Sequence, residues 1–156
     1  MEVGKTWQLL ERIPEEQWDW KPHPKSWKMG ELVTHLVNIP TWMSITLQQD
    51  SLDLSPPEAP ETPHVAPAQS REEAADRFRA NLAAAAKVLQ TTEDGALLEP
   101  WTLLVGGKKQ FTMPRYLVLR SFIFNHLVHH RAQLGVYLRL CNIPLPGMYG
   151  PSADEQ

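Results

Sequence analysis

The chain has one cysteine, Cys141, among its 156 residues. It can form no internal disulfide, and a reducing, cytoplasmic address is expected. No stretch approaches the roughly 18 apolar residues of a membrane span, so no membrane association is expected. The opening residues Met1-Glu2-Val3-Gly4-Lys5 lack the apolar core of a secretory signal. A basic excess is missing too: the formal net charge is -3, which argues against a nucleic-acid partner. There is no glycine-rich phosphate loop, no cysteine pair and no His-Glu-x-x-His. Neither Ser44 nor Ser121 has a base at a useful spacing, which disfavours a serine nucleophile. With 42% hydrophobic and 21% charged residues, the composition is that of one globular domain over residues 1–156.

Proline and tryptophan are the abundant types, fourteen and six respectively, and the prolines divide the chain. Residues 3–12 carry a short helical pattern that ends before Ile13-Pro14. Residues 14–27 combine Pro14, Pro22 and Pro24 with Trp18, Trp20 and Trp27, which reads as an ordered loop anchored by indoles. Residues 28–49 are helical again, with Glu31, Leu32, His35, Ile39, Trp42 and Thr46 on one face and an internal Pro40 expected to kink the helix after His35. Pro56, Pro57, Pro60, Pro63 and Pro67 make residues 50–69 an extended connector. At about 3.1 Å per residue it is long enough to travel back along the preceding helix. Ser70-Arg71-Glu72-Glu73 is a capping box opening a third helix with Phe78, Leu82 and Leu89 at helical spacing, and Gly95 is a plausible left-handed stop. Two apolar runs around Gly106-Gly107-Lys108 predict a small β-hairpin. Pro114 then opens a last helix reaching about Cys141. The sum is an all-α four-helix bundle in up-down-down-up order, with a long Pro-rich crossover between helices 2 and 3 and a small hairpin before the last helix.

Histidine carries the chemistry. In Asn125-His126-Leu127-Val128-His129-His130-Arg131-Ala132-Gln133, His126 and His130 stand one helical turn apart and about 40° apart in phase, the geometry by which a helix gives two imidazoles to one metal ion. His129 lies about 60° to the other side and is a bystander. A face this apolar leaves two buried imidazoles hard to satisfy without a metal or a polar network. The plainer reading is a pair of hydrogen-bonded core or surface histidines. His35 is the candidate third ligand, because it too stands on an apolar face of a long helix. His23, between two prolines, and His64, in the connector, read as solvated. Glu31, as a hydrogen-bond or proton acceptor, and Tyr137 are the candidate catalytic side chains, with an ordinary exposed first-turn glutamate as the competing reading of Glu31. Trp42 and Gln133 are candidates for the pocket lining, with simple packing as the competing account. Arg131 points well away from His126 and reads as an ion-pair partner for another helix or loop.

Several blocks of this sequence resemble the DinB/YfiT-like family of metal-dependent enzymes over nearly the whole chain. They are Ile13-Pro14-Glu15-Glu16, Trp20-Lys21-Pro22-His23-Pro24-Lys25-Ser26, Gly30 through His35, Pro114-Arg115-Tyr116, Asn125 through Leu134, and Tyr137 through Arg139 with Pro144 through Pro151. The resemblance implies a four-helix bundle with one histidine on the second helix and an i, i+4 pair on the last, which map onto His35, His126 and His130. It further implies nickel or zinc and a homodimer. Relatives include thiol-dependent S-transferases and a mycothiol-dependent isomerase.

The expectation is therefore a metal-dependent enzyme acting on a small molecule, with water or a low-molecular-weight thiol activated at a three-histidine site, as in a hydrolase or a thiol S-transferase. The alternatives are a non-catalytic bundle that binds a metal or small ligand, and a dimerisation module.

Overall fold

The computed structural model describes residues 1–56 and 65–155. The chain is mostly helical with a small sheet. In order it forms α1 (Glu2–Leu10), a 3-10 turn (Glu15–Gln17), α2 (Met29–Gln48), β1 (Ser51–Asp53), α3 (Arg71–Thr91), a second 3-10 turn (Asp94–Leu98), β2 (Pro100–Val105), β3 (Lys108–Pro114), α4 (Arg115–Val118), a π-helical segment (Leu119–Phe124) and α5 (Asn125–Leu140). Pro57, Pro60, Pro63 and His64 of the expected crossover lie outside the described residues.

Internal packing divides the chain into two units. The first comprises Met1–Val37, Pro67–Arg77 and Leu127–Gln156. Leu9, Ile13, Met29, Leu36, Leu134 and Leu138 are buried in it. The second comprises Asn38–Ala66 and Phe78–His126, with Ile39, Phe78, Trp101, Val118 and Ile123 buried.

The start of α2 shows how the Trp- and Pro-rich loop becomes ordered. Helix amides at an N-terminus have no partner inside the helix. Here Glu31 accepts from the Lys28 amide at 2.8 Å, while the amides of Met29 and Gly30 donate to the carbonyls of Trp20 and Trp18. The loop is thereby tied to α2 through its own backbone. The helix then runs through Pro40 to Gln48. At the start of α3, Ser70 Oγ accepts from the Glu73 amide at 3.1 Å, as a capping box requires. The return bond from Glu73 goes one residue further back, to the Gln69 amide. Gly95 does not end this helix: it lies in the second 3-10 turn without a positive φ. Thr91 and Thr92 instead fold their hydroxyls onto the carbonyl of Val88.

The hairpin has more to it than expected. Gly106 and Gly107 take φ of 59° and 73°, the consecutive positive values that a two-residue hairpin turn needs. A third strand joins it, since β1 pairs parallel with β2, placing Leu52 beside Leu103. Asp53 holds the strand in place by accepting from the amides of Gly106 and Gly107 at 2.9 and 2.7 Å. The fold is thus not purely helical.

The last helix also departs from expectation. Residues 119–124 form a π segment between α4 and α5, and such a segment shifts helical phase by roughly one residue. The α-helical period therefore misplaces side chains on this stretch. Within it Leu119 and Ile123 are buried, while Phe122 is 41% exposed. At the far end Asn142 takes φ 60°, with the Ile143 amide bonded to Leu138 and the Asn142 amide to Arg139, a Schellman ending that stops α5.

Candidate metal centre

Helix α5 alone sets His126 relative to His130, one turn apart, and α2 supplies His35. One ring nitrogen from each of the three lies within 4.8 Å of the others. Within that spacing, side-chain rotation can bring three imidazoles onto one ion with bonds of about 2.1 Å. Among the described residues no other His, Cys, Asp or Glu belongs to this group.

The rings of His35 and His130 meet edge to face, with centroids 4.5 Å apart. Trp27 stacks on His130 at 5.7 Å, with the two planes 22° apart, and leans on His35 at 5.1 Å. An aromatic wall of this kind limits water access to both imidazoles. His130 is buried, and desolvation pushes its pKa below the ordinary histidine value. The hydrogen bond to Gln133 opposes that shift, and the charge of neighbouring His129 reinforces it. Loss of the proton is what a metal ligand needs. His130 Nδ1 lies 2.6 Å from Gln133 Oε1. With the amide oxygen accepting, Nδ1 carries the proton and Nε2 is the basic nitrogen of the ring, the form in which an imidazole ligates.

Tyr137 is half-buried, and its hydroxyl donates to the Trp27 carbonyl at 3.1 Å, with Trp20 set edge-on to its ring at 5.7 Å. It therefore braces the loop that carries Trp27. Glu31 is exposed, its carboxylate capping α2. Gln133 meets His130, whereas Trp42 packs on His126 at 5.2 Å and faces a cavity. His129 is exposed and outside the group of three, though its ring lies 4.8 Å from that of His130. His23 is exposed, and its ring nitrogen accepts from the Lys25 amide. Arg131 is buried and pairs with Glu2 of α1 at 2.7 Å, an ion-pair role as expected. Cys141 is half-buried, and burial pushes its thiol pKa up, which makes it a poor nucleophile.

Sequence reasoning gave no role to Arg115. It is 7% exposed, and it donates to the carbonyls of Thr46 and Gln49 and to Asp50. It therefore closes the C-terminal end of α2 and positions the entry into β1. A lone basic residue after a proline carries no signal of that duty.

Three comparisons bear on this arrangement. The DinB family model matches residues 2–156. An uncharacterised protein, YrdA of Bacillus subtilis strain 168, is 26% identical over 154 residues, covering 99% of this chain and 85% of that protein. The crystal structure of a DinB-like protein from Bacillus cereus ATCC 10987 superposes with a TM-score of 0.72 at 25% identity, covering 95% of this chain and 91% of that one. A DinB-like protein from Bacillus subtilis, YjoA, has a TM-score of 0.65 at 17% identity, with 99% and 93% covered, a likeness of fold alone.

Proposed function

The chain belongs to the DinB family, and on that premise we propose that it is a metal-dependent enzyme whose His35, His126 and His130 hold one divalent ion, zinc or nickel. The observation that carries this reading is the convergence of the three ring nitrogens. Imidazoles suit both ions, and a set of three leaves a coordination position open, as catalytic sites do and closed structural sites do not. A divalent ion so held supplies a Lewis acid that makes water or a low-molecular-weight thiol nucleophilic near neutral pH. The reaction class is hydrolysis or thiol transfer to a small electrophile.

The protein's own side chains prepare that site. Gln133 fixes the tautomer of His130, and burial favours its neutral form. Trp27 covers His35 and His130, and Tyr137 holds the loop bearing Trp27 in place. We extend the reading to a four-helix bundle in up-down-down-up order that works as a homodimer in a reducing cytoplasm.

Metal analysis tests it. Purified protein should carry about one equivalent of zinc or nickel, and His126→Ala should lose it while keeping its helical circular dichroism. Wild-type protein without stoichiometric metal would sink the proposal. One observation favours a second reading, a non-catalytic binder of a metal or small ligand: the Glu31 carboxylate and the Tyr137 hydroxyl both have structural bonds, so neither stands free as a proton carrier. Turnover of chloro-aromatic or epoxide electrophiles with added thiol separates the two, since a binder shows none.

A further inference from the structure

The small sheet is more than an ornament on a helical protein. Register puts Leu52 of β1 beside Leu103 of β2, and Leu103 opposite Phe111 of β3. These three side chains form a row across all three strands on one face. The hydroxyls of Thr102 and Thr112 bond to each other on the exposed face. The row is one wall of a cavity of about 260 Å³ whose lining also includes Trp42, Phe122 and His126. Phe111 and Phe122 stack at 4.6 Å with planes 25° apart, which gives that wall a flat aromatic surface. Leu54 and Phe122 remain 39% and 41% exposed, marking where the cavity opens. Among the described residues no Lys, Arg, Asp or Glu lines it.

We propose that this cavity is the substrate pocket and that it takes an uncharged aromatic group of one or two rings, seated against His126. Size, chemistry and position each contribute to the argument. An apolar cavity of about 150 Å³ in another protein holds benzene, so this volume accommodates a substituted ring. A charged group entering would lose its hydration with no counter-charge among the described lining residues. Position matters most, because His126 belongs both to the group of three histidines and to the cavity lining. A ring lying along Phe111 and Phe122 would present its substituent at His126. The sheet thus becomes the element that selects the substrate, and Arg115, by fixing the turn from α2 into β1, positions Leu52 in the wall. The proposal rests on the metal-dependent reading for the reaction, but binding to the cavity can be measured without turnover.

The experiment is ligand-observed fluorine NMR on the full-length protein as purified, with 4-fluorobenzyl alcohol, 4-fluorobenzylammonium and 4-fluorobenzoate at matched concentrations. The alcohol should bind at least tenfold more tightly than the ammonium. Leu103→Trp, which fills the cavity, should weaken the alcohol by tenfold or more while metal content stays unchanged. Leu52→Phe serves the same purpose if the first variant misfolds, as judged by circular dichroism. If the alcohol does not bind, or binds the filled variants equally, the cavity proposal is overturned whatever the metal content. If benzoate binds best and the filled variants keep it, recognition lies at the ion and the proposal also falls. Alcohol binding in a protein that carries no metal would support the pocket while refuting only the metal-dependent reading.

Discussion

Gly30 illustrates how a single position can set the entry to the site. A Cβ added there would stand 2.3 Å from Trp18 Nε1, closer than any real contact. That indole nitrogen donates to the Ala68 carbonyl at 2.9 Å. Thr34 joins the same cluster, donating to the Gly30 carbonyl at 2.7 Å and accepting from the Ala68 amide at 2.8 Å. Because this junction anchors both the Trp loop and the approach to α3, Gly30→Ala should cost about 1–3 kcal/mol by overpacking, read from urea unfolding. An unchanged midpoint would show that Trp18 can move aside. Nothing in the sequence announces this constraint, since a glycine at the second helical position looks like an ordinary helix start. The three histidines are different. Helical phase brought His126 and His130 to one face, and the apolar surroundings of His35 singled it out. The bonds of Glu31, Gln133 and Tyr137 depend on which loop folds over which helix, and helical phase says nothing of that.

At the scale of elements, the long helices were legible because twenty or so residues of periodic pattern outweigh local noise. The capping box at Ser70 and the Gly106-Gly107 turn were legible because their chemistry is local. β1 was not. Three residues of alternating polarity are too few to distinguish from a loop, and its pairing partner lies about fifty residues away. The π segment was equally silent, since Leu119–Phe124 has the composition of an ordinary helix. The segment after α5 can be tested through its carboxylates. Asp154 pairs with Arg139 and accepts from the Leu145 amide at 2.8 Å. The Arg139 guanidinium first, and that amide second, hold its pKa down to about 2. Glu155 is lowered by the amides of Gly147 and Ser152. Glu2 is lowered chiefly by the Tyr149 hydroxyl, with Arg131 adding to it. A carboxylate whose folded pKa lies below its unfolded value near 4 stabilises the native state above about pH 4 and loses that contribution as pH falls toward the folded value. The protection factors of the Leu145, Gly147 and Ser152 amides, taken relative to intrinsic exchange at each pH, should therefore hold at pH 5–7 and fall between about pH 4 and 2, before α5 itself opens. Asp154→Asn should show fast exchange in this segment already at pH 6. Protection unchanged down to pH 2 would mean that apolar contacts, not these carboxylates, hold the segment.

For the whole molecule, an ion held by the three histidines as proposed would couple metal to folding. His35 and the pair on α5 are about ninety residues apart along the chain, so the unfolded protein cannot offer the three-imidazole set and an ion binds mainly the native state. Linkage then adds about 2.7 kcal/mol of stability when free metal is 100-fold above its dissociation constant, less whatever affinity the unfolded histidines retain. For a chain of 156 residues, each kcal/mol is worth roughly 2–4 °C in Tm, so saturating zinc or nickel should raise Tm by about 5–10 °C over chelator-treated protein. The size of the shift should follow metal concentration logarithmically, which distinguishes linkage from nonspecific salt effects. His126→Ala breaks the set without emptying a core position, because that imidazole is only half-buried. Its chelator-treated Tm should lie close to wild type while the metal-dependent rise disappears. Identical melting of wild-type protein with and without either ion would remove the thermodynamic basis for a three-histidine metal centre, however well the rings are placed.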